Sequence, residues 1–182
     1  VTCIGDSGNL TYKKSRQGNA IIDKVVEKVL LESGQPYEII DFFPSGSDER
    51  QFCSPAFDMP VGSLVRTLYG KFPQYHTSAD NLDFVKSQYL QDSFSKYLKT
   101  IFILENNVTY LNSNPKCEPQ LGRRGLYRMV GGQKNDGLNE DAVFWILNLS
   151  DGNNSLLDIS NRSGIEFNLI KFFSDKLFLL NL

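Results

Sequence analysis

The stretch Gln17–Phe42, QGNAIIDKVVEKVLLESGQPYEIIDF, decides the fold class. Ile21, Ile22, Val25, Val26, Val29 and Leu30 recur at helical spacing, with Asp23, Lys24, Glu27, Lys28 and Glu32 on the other side. Asn19 is placed to cap the start of this helix and Gly34 to end it. Tyr37 to Phe42 then reads as a strand. Upstream, the short β-branched run Val1–Ile4 reads as a buried strand that ends at Gly5-Asp6. Strand, helix and strand in this order predict a βαβ-like unit and an α/β fold. In such sheets bound ligands and catalytic groups collect where strands end, so Asp6 is a candidate site residue. The competing reading is that Asp6 only opens a turn with Ser7-Gly8.

The chain has 182 residues, 41% hydrophobic and 22% charged, with a net charge of -2. That is enough apolar material for one ordinary domain and an appendage, and too little charge for disorder. No run approaches the length of an apolar membrane span, and the first residues lack a basic, cleavable leader, so a cytoplasmic location is expected. The chain opens on Val1 inside what reads as a strand, and is expected to be a piece of something longer. Cys3, Cys53 and Cys117 are far apart with no CxxC pair, which argues against both a disulfide framework and a thiolate zinc site.

Beyond Phe42, Pro44, Ser45, Gly46 and Ser47 mark a loop that carries Asp48, Glu49 and Arg50. A short strand is expected around Gly62–Leu68. From Leu82 to Phe102 the apolar positions follow one face of a long helix, capped by Ser78 or Asp80 and ended near Asn106-Asn107. Residues 113–136 are punctuated by Pro115, Pro119, Gly122, Gly125, Gly131 and Gly132 and read as a locally basic connector. Three short helical patterns follow, Asn139–Leu149, Ser155–Ser163 and Ile165–Phe173, with Phe178–Leu182 as a final strand. Phe144, Trp145, Ile146, Phe172 and Phe173 are the expected core of this last module. Three helices and a strand with a tight Gly turn outline a winged helix.

His76 is the only histidine. It lies in Tyr75-His76-Thr77-Ser78-Ala79-Asp80-Asn81, between a Pro73-marked loop and the helical pattern. A lone histidine is commonly a structural hydrogen-bonding residue. A histidine near carboxylates on strand-to-helix loops is also what a hydrolytic zinc site uses, because nitrogen and oxygen ligands hold the ion while leaving a position for water.

Two motifs carry a resemblance: Ser47-Asp48-Glu49-Arg50-Gln51-Phe52 leading to Met59-Pro60-Val61, and the Tyr75–Asn81 segment. Together they resemble the end of the catalytic domain of M28-type zinc aminopeptidases. The run SDERQFCSPAFDMPVGSL, YHTSADNLDFV, and Pro115–Tyr127 are similar to the bacterial aminopeptidase-like proteins of the DUF4910 type, which carry a C-terminal winged helix. The resemblance implies a zinc-exopeptidase-like sheet with flanking helices, of which residues 1–112 are the C-terminal part, then the connector 113–136 and a winged helix at 137–182. It implies one or two zinc ions, with His76 as the final ligand, Asp6 as a ligand, and Asp80 and Asp48 as supporting acids that orient the ligand loop.

The same comparison exposes departures. The family's Cys-His-Pro and Asn-Asp-Asn ligand segment and its Pro-Glu-Thr-Ile-Gly segment, with the catalytic glutamate, do not occur in this sequence. Two ligands hold a catalytic zinc poorly, so the chain alone is expected to be inactive. The implied substrate is a peptide amino terminus or an amide in surface-sugar biosynthesis. The alternative is a non-catalytic binding or regulatory protein. Residues 137–182 hold three basic residues, Arg162, Lys171 and Lys176, against six acids. Their charge opposes a phosphate backbone, which argues against nucleic acid and for a protein partner or homo-oligomer through the winged helix.

Overall fold

The computed structural model describes residues 2–46, 48–127, 129–130, 133–134 and 139–182. It divides into two compact units, Val1–Leu104 and Glu105–Leu182.

The first unit is built on a three-stranded sheet in the order β2-β1-β3, with β1 at Leu10–Lys13, β2 at Tyr37–Ile40 and β3 at Ser63–Val65. Strand β2 runs parallel to β1, with Leu10 opposite Tyr37 and Lys13 opposite Ile40, and β3 runs antiparallel to it. Helix α1, Ile21–Glu32, makes the parallel crossover expected from its periodicity. It buries Val25, Val26, Val29 and Leu30, and Val26 and Leu30 join Leu10, Tyr12 and Leu64 in one core cluster. Its N-cap is Ala20 rather than Asn19, because the Asp23 carboxylate accepts the Ala20 backbone N–H at 2.9 Å.

The strand expected at Val1–Ile4 is not formed. Residue 1 lies outside the described residues, and at Cys3 φ is +50°, which turns the chain out of an extended path. Among the described residues one backbone bond, the Cys3 carbonyl accepting the Arg66 N–H at 2.8 Å, ties this segment to the backbone after β3, and that is no ladder. The first strand is β1 instead, all four of whose residues are buried.

The loop expected at 43–51 contains a short helix, α2, at Asp48–Phe52; Ser47 lies outside the described residues. The long helix, α3, spans Ser87–Asn106. It starts later than Ser78 or Asp80 would allow, since residues 68–86 fold as consecutive turns, among them Thr77 N–H to Gln74 O at 3.1 Å and Asp80 N–H to Thr77 O at 3.1 Å.

In the second unit β4, Thr109–Leu111, pairs antiparallel with β7, Asp151–Ser155. Strand β5, Met129–Val130, pairs antiparallel with β6, Gln133–Lys134. Three helices supply the core: α4 at Glu140–Leu149, α5 at Leu156–Ser163 and α6 at Phe167–Leu179. Asn139 caps α4 by accepting the Ala142 N–H at 3.0 Å, and Ser155 and Asp158 form a capping box on α5. Ile146, Leu157, Ile170 and Phe173 are buried here, whereas Trp145 and Phe172 face outward, contrary to their expected place in the core. The expected final strand Phe178–Leu182 is the end of α6 and the turn after it. The connector expected at 113–136 folds within this unit, with Leu121 and Leu126 fully buried; Arg128, Gly131, Gly132 and Asp136 lie outside the described residues. No described helix is long and apolar enough to cross a membrane.

Candidate functional site

His76 stands on the turns between β3 and α3, with φ +58°. Its ring stacks on Tyr75, with centroids 4.0 Å apart and planes at 17°. Behind it Phe72 meets Tyr75 edge-on at 5.5 Å and stacks on Phe84 at 5.4 Å. These side chains line a cleft of about 900 Å³ whose wall also includes Asp6, Tyr69 and Asp80. The imidazole is exposed, as a residue that meets a ligand must be.

Three of the four residues expected at the site, Asp6, His76 and Asp80, therefore share one cleft. Asp6 is buried and already committed. Its Oδ1 accepts the Gly8 N–H at 2.8 Å and the Thr67 hydroxyl at 2.5 Å, and the Thr67 N–H lies 3.3 Å away. The turn with Ser7-Gly8, the plainer of the two readings of Asp6, is thus formed. Asp80 is exposed, and no hydrogen bond joins its carboxylate to His76. Asp48 opens α2 and lines a different cavity.

A buried polar cluster at the cleft rim escaped sequence reasoning. Lys13 is fully buried on β1, and its ammonium reaches Glu49 Oε1 at 2.5 Å, the Tyr69 hydroxyl at 2.6 Å and the Ser45 carbonyl at 2.9 Å. The Phe43 ring lies 4.1 Å from the ammonium. Burial works to raise the Glu49 pKa, but hydrogen bonds from Lys13, from its own backbone and from Tyr69 outweigh it and hold the carboxyl below its ordinary value. Gly46 closes over the group: its φ is +149°, and a Cβ there would sit 2.1 Å from Glu49 Oε1. Tyr69, Ser45 and Gly46 all line the cleft, so this cluster fixes one of its walls. The available signal was a lysine inside the run Leu10-Thr11-Tyr12-Lys13, which alternation would have turned toward water.

A family described as a domain of unknown function, DUF4910, matches residues 1–107, and one described as a winged helix-turn-helix matches residues 108–182. The chain belongs to the DUF4910 family. A curated protein of Clostridium acetobutylicum, provisionally named for polysaccharide biosynthesis and for an aminopeptidase-like domain, is 56% identical over 182 residues. That match takes in 100% of this chain and 42% of the relative. A crystal structure from the same organism, provisionally named a peptidase, superposes with a TM-score of 0.86 at 54% identity over 97% of this chain and 39% of that one. The chain thus spans about two fifths of the length of these relatives.

The zinc implied by the family resemblance can be tested against the donors of this DUF4910 chain. Among the described residues no three His, Cys, Asp or Glu side chains gather to hold a metal ion. His76 offers a nitrogen, and the Asp6 carboxylate is held by Thr67 and Gly8. A zinc site takes three or four protein donors, so these residues do not constitute one by themselves.

Proposed function

We propose that this chain forms one wall of the substrate cleft in an aminopeptidase-like amide hydrolase, as the C-terminal part of its zinc-exopeptidase-like sheet and helices. The observation that carries the reading is the exposed His76 on the wall of the cleft it shares with Asp6 and Asp80, in a chain similar to proteins with aminopeptidase-like and peptidase names. In this reading His76 presents its imidazole to the reacting end of the cleft, and Phe72, Tyr75 and Phe84 give an apolar floor to the residue beside the scissile amide. Asp6 holds the loop at the cleft's edge through Thr67. Further donors and the general base come from polypeptide outside these 182 residues, and this chain alone hydrolyses nothing. The substrate class is a peptide or small amide with a free amine.

The test uses a full-length chimera in which this chain replaces the matched 42% of the C. acetobutylicum relative. It is assayed on a panel of aminoacyl-coumarin amides, with bound zinc measured in parallel. His76→Asn keeps a residue that tolerates positive φ while removing the imidazole. Turnover should fall at least about 100-fold and zinc content should drop. An inactive chimera across the whole panel, or turnover indifferent to His76→Asn, removes the reading.

A second reading, a non-catalytic protein that binds a protein partner or a second copy through the winged helix, draws on the acidic 137–182 segment. It requires the chimera to be inactive.

A further inference from the structure

Helix α3 leaves an apolar face exposed. Its buried residues are Ser93, Thr100 and Ile103. The inward side carries Tyr97, packed on the sheet's core cluster, and the buried Ile103, beside a polar network: Arg66 donates to the Ser93 hydroxyl at 3.0 Å and pairs with Asp92, Lys96 bonds Asp92 at 2.7 Å, and Ser93 donates to the Ile4 carbonyl at 2.8 Å. Leu90, Phe94, Leu98 and Ile101, spaced by four, four and three residues, form an apolar stripe along the other side. Phe94, Leu98 and Ile101 are 59%, 50% and 55% exposed, and Phe102 extends the stripe. Single exposed leucines are ordinary on a monomer, but an aligned stripe on one helix marks a contact surface.

The stripe leads into the core at one end and the site at the other. Ile101 lines a cavity of about 560 Å³ whose walls include Tyr12, Val26 and Leu64, members of the sheet's own core cluster. That core is therefore open on the side where the stripe begins. Leu90 lines the cleft that holds His76. A body seated along α3 would close the core cavity and reach the cleft.

We infer that the α3 stripe is the seat of the polypeptide that completes the aminopeptidase-like fold, the portion corresponding to the part of the relatives that this chain does not match. The inference rests on the functional reading above, from which it takes the identity of the occupant. Length favours this occupant: the relatives carry more than half of their residues outside the matched region, and the match extends over all but 3% of this chain in the solved structure. Site chemistry is consistent with it as well: among the described residues no three His, Cys, Asp or Glu side chains gather at the cleft that the stripe borders, and such a body would bring further donors. The docking face on that body is apolar, since the stripe presents no charge to pair.

The experiment is hydroxyl-radical footprinting with mass spectrometry on the 182-residue chain and on the full-length chimera. Phe94, Leu98 and Ile101 should be modified freely in the chain and at least about tenfold more slowly in the chimera. Phe94→Glu with Leu98→Glu should leave the melting temperature of the chain within a few degrees while lowering that of the chimera by more than 5 °C. If the chimera does not fold, the chain alone still decides: protection of the stripe there, or a concentration-dependent dimer dispersed by the double substitution, shows a different occupant and overturns the inference. Equal labelling in chain and chimera also overturns it. A protected stripe in a chimera that hydrolyses nothing sustains the docking and removes the functional reading; hydrolysis with an unprotected stripe does the reverse.

Discussion

Lys13→Met should be among the most damaging single substitutions in the first unit. The ammonium has three protons, and Glu49, Tyr69 and the Ser45 carbonyl take them at 2.5, 2.6 and 2.9 Å. Methionine fills the space of the aliphatic stem but leaves the Glu49 carboxylate, only 4% exposed, with the Tyr69 hydroxyl at 3.0 Å and its own backbone to hold it. Removing one member of a buried pair costs about 3–5 kcal/mol, because the other charge stays desolvated. For a unit of this size that corresponds to a fall of roughly 12 °C or more in melting temperature. Lys13→Met combined with Glu49→Leu removes both charges and should recover most of the loss, giving a coupling of about 2 kcal/mol or more.

The single tryptophan, Trp145, reports on the second unit, so calorimetry and hydrogen exchange in β1 and β2 are the appropriate assays. Acid provides a second axis. The folded pKa of Glu49 lies below its unfolded value, so its contribution is complete above the ordinary glutamate pKa of about 4.3 and is lost as pH falls through the lower folded value. Glu49→Gln should flatten the stability profile in that acid window alone. A loss under about 1 kcal/mol for Lys13→Met, or a double variant as unstable as the two singles added, would refute the reasoning.

Asp23 should be nearly as sensitive. Its carboxylate accepts the Tyr12 hydroxyl at 2.8 Å, the Ser15 N–H at 2.8 Å, the Ser15 hydroxyl at 2.6 Å and the Ala20 N–H at 2.9 Å, so Asp23→Ala should cost about 3 kcal/mol or more in urea unfolding. Gly46→Ala, at φ +149° and with its Cβ driven against Glu49, should cost roughly 2 kcal/mol and speed exchange of the Lys13 strand amides. For the winged helix, a titration of duplex DNA against the chain at about 50 mM salt, where phosphate contacts are strongest, should show no binding; micromolar binding that weakens steeply with salt would contradict the charge argument.

The periodic parts of the molecule were open to reading from the chain. Helix α1 has its apolar positions at helical spacing and one face against the sheet, so pattern and packing agree. The three helices of the second unit follow for the same reason, reinforced by Asn139, Ser155 and Gly164 at their ends. His76 stood out through its uniqueness and its motif, and it lines one cleft with Asp6 and Asp80.

Tertiary structure decided what no local pattern encodes. Leu10-Thr11-Tyr12-Lys13 alternates apolar and polar residues, but as the central strand it has both faces covered, so the polar positions do not face water and Lys13 turns inward to meet Glu49. Helix α3 carries a clear apolar stripe in its sequence, but that pattern fixes only the existence of the helix. Arg66, from the end of β3, holds Asp92 and Ser93 inward beside Tyr97 and Ile103, and Phe94 and Leu98 are left to the surface. A periodic sequence determines an element and its two faces; which face is buried depends on partners far along the chain, and those partners meet only when it folds.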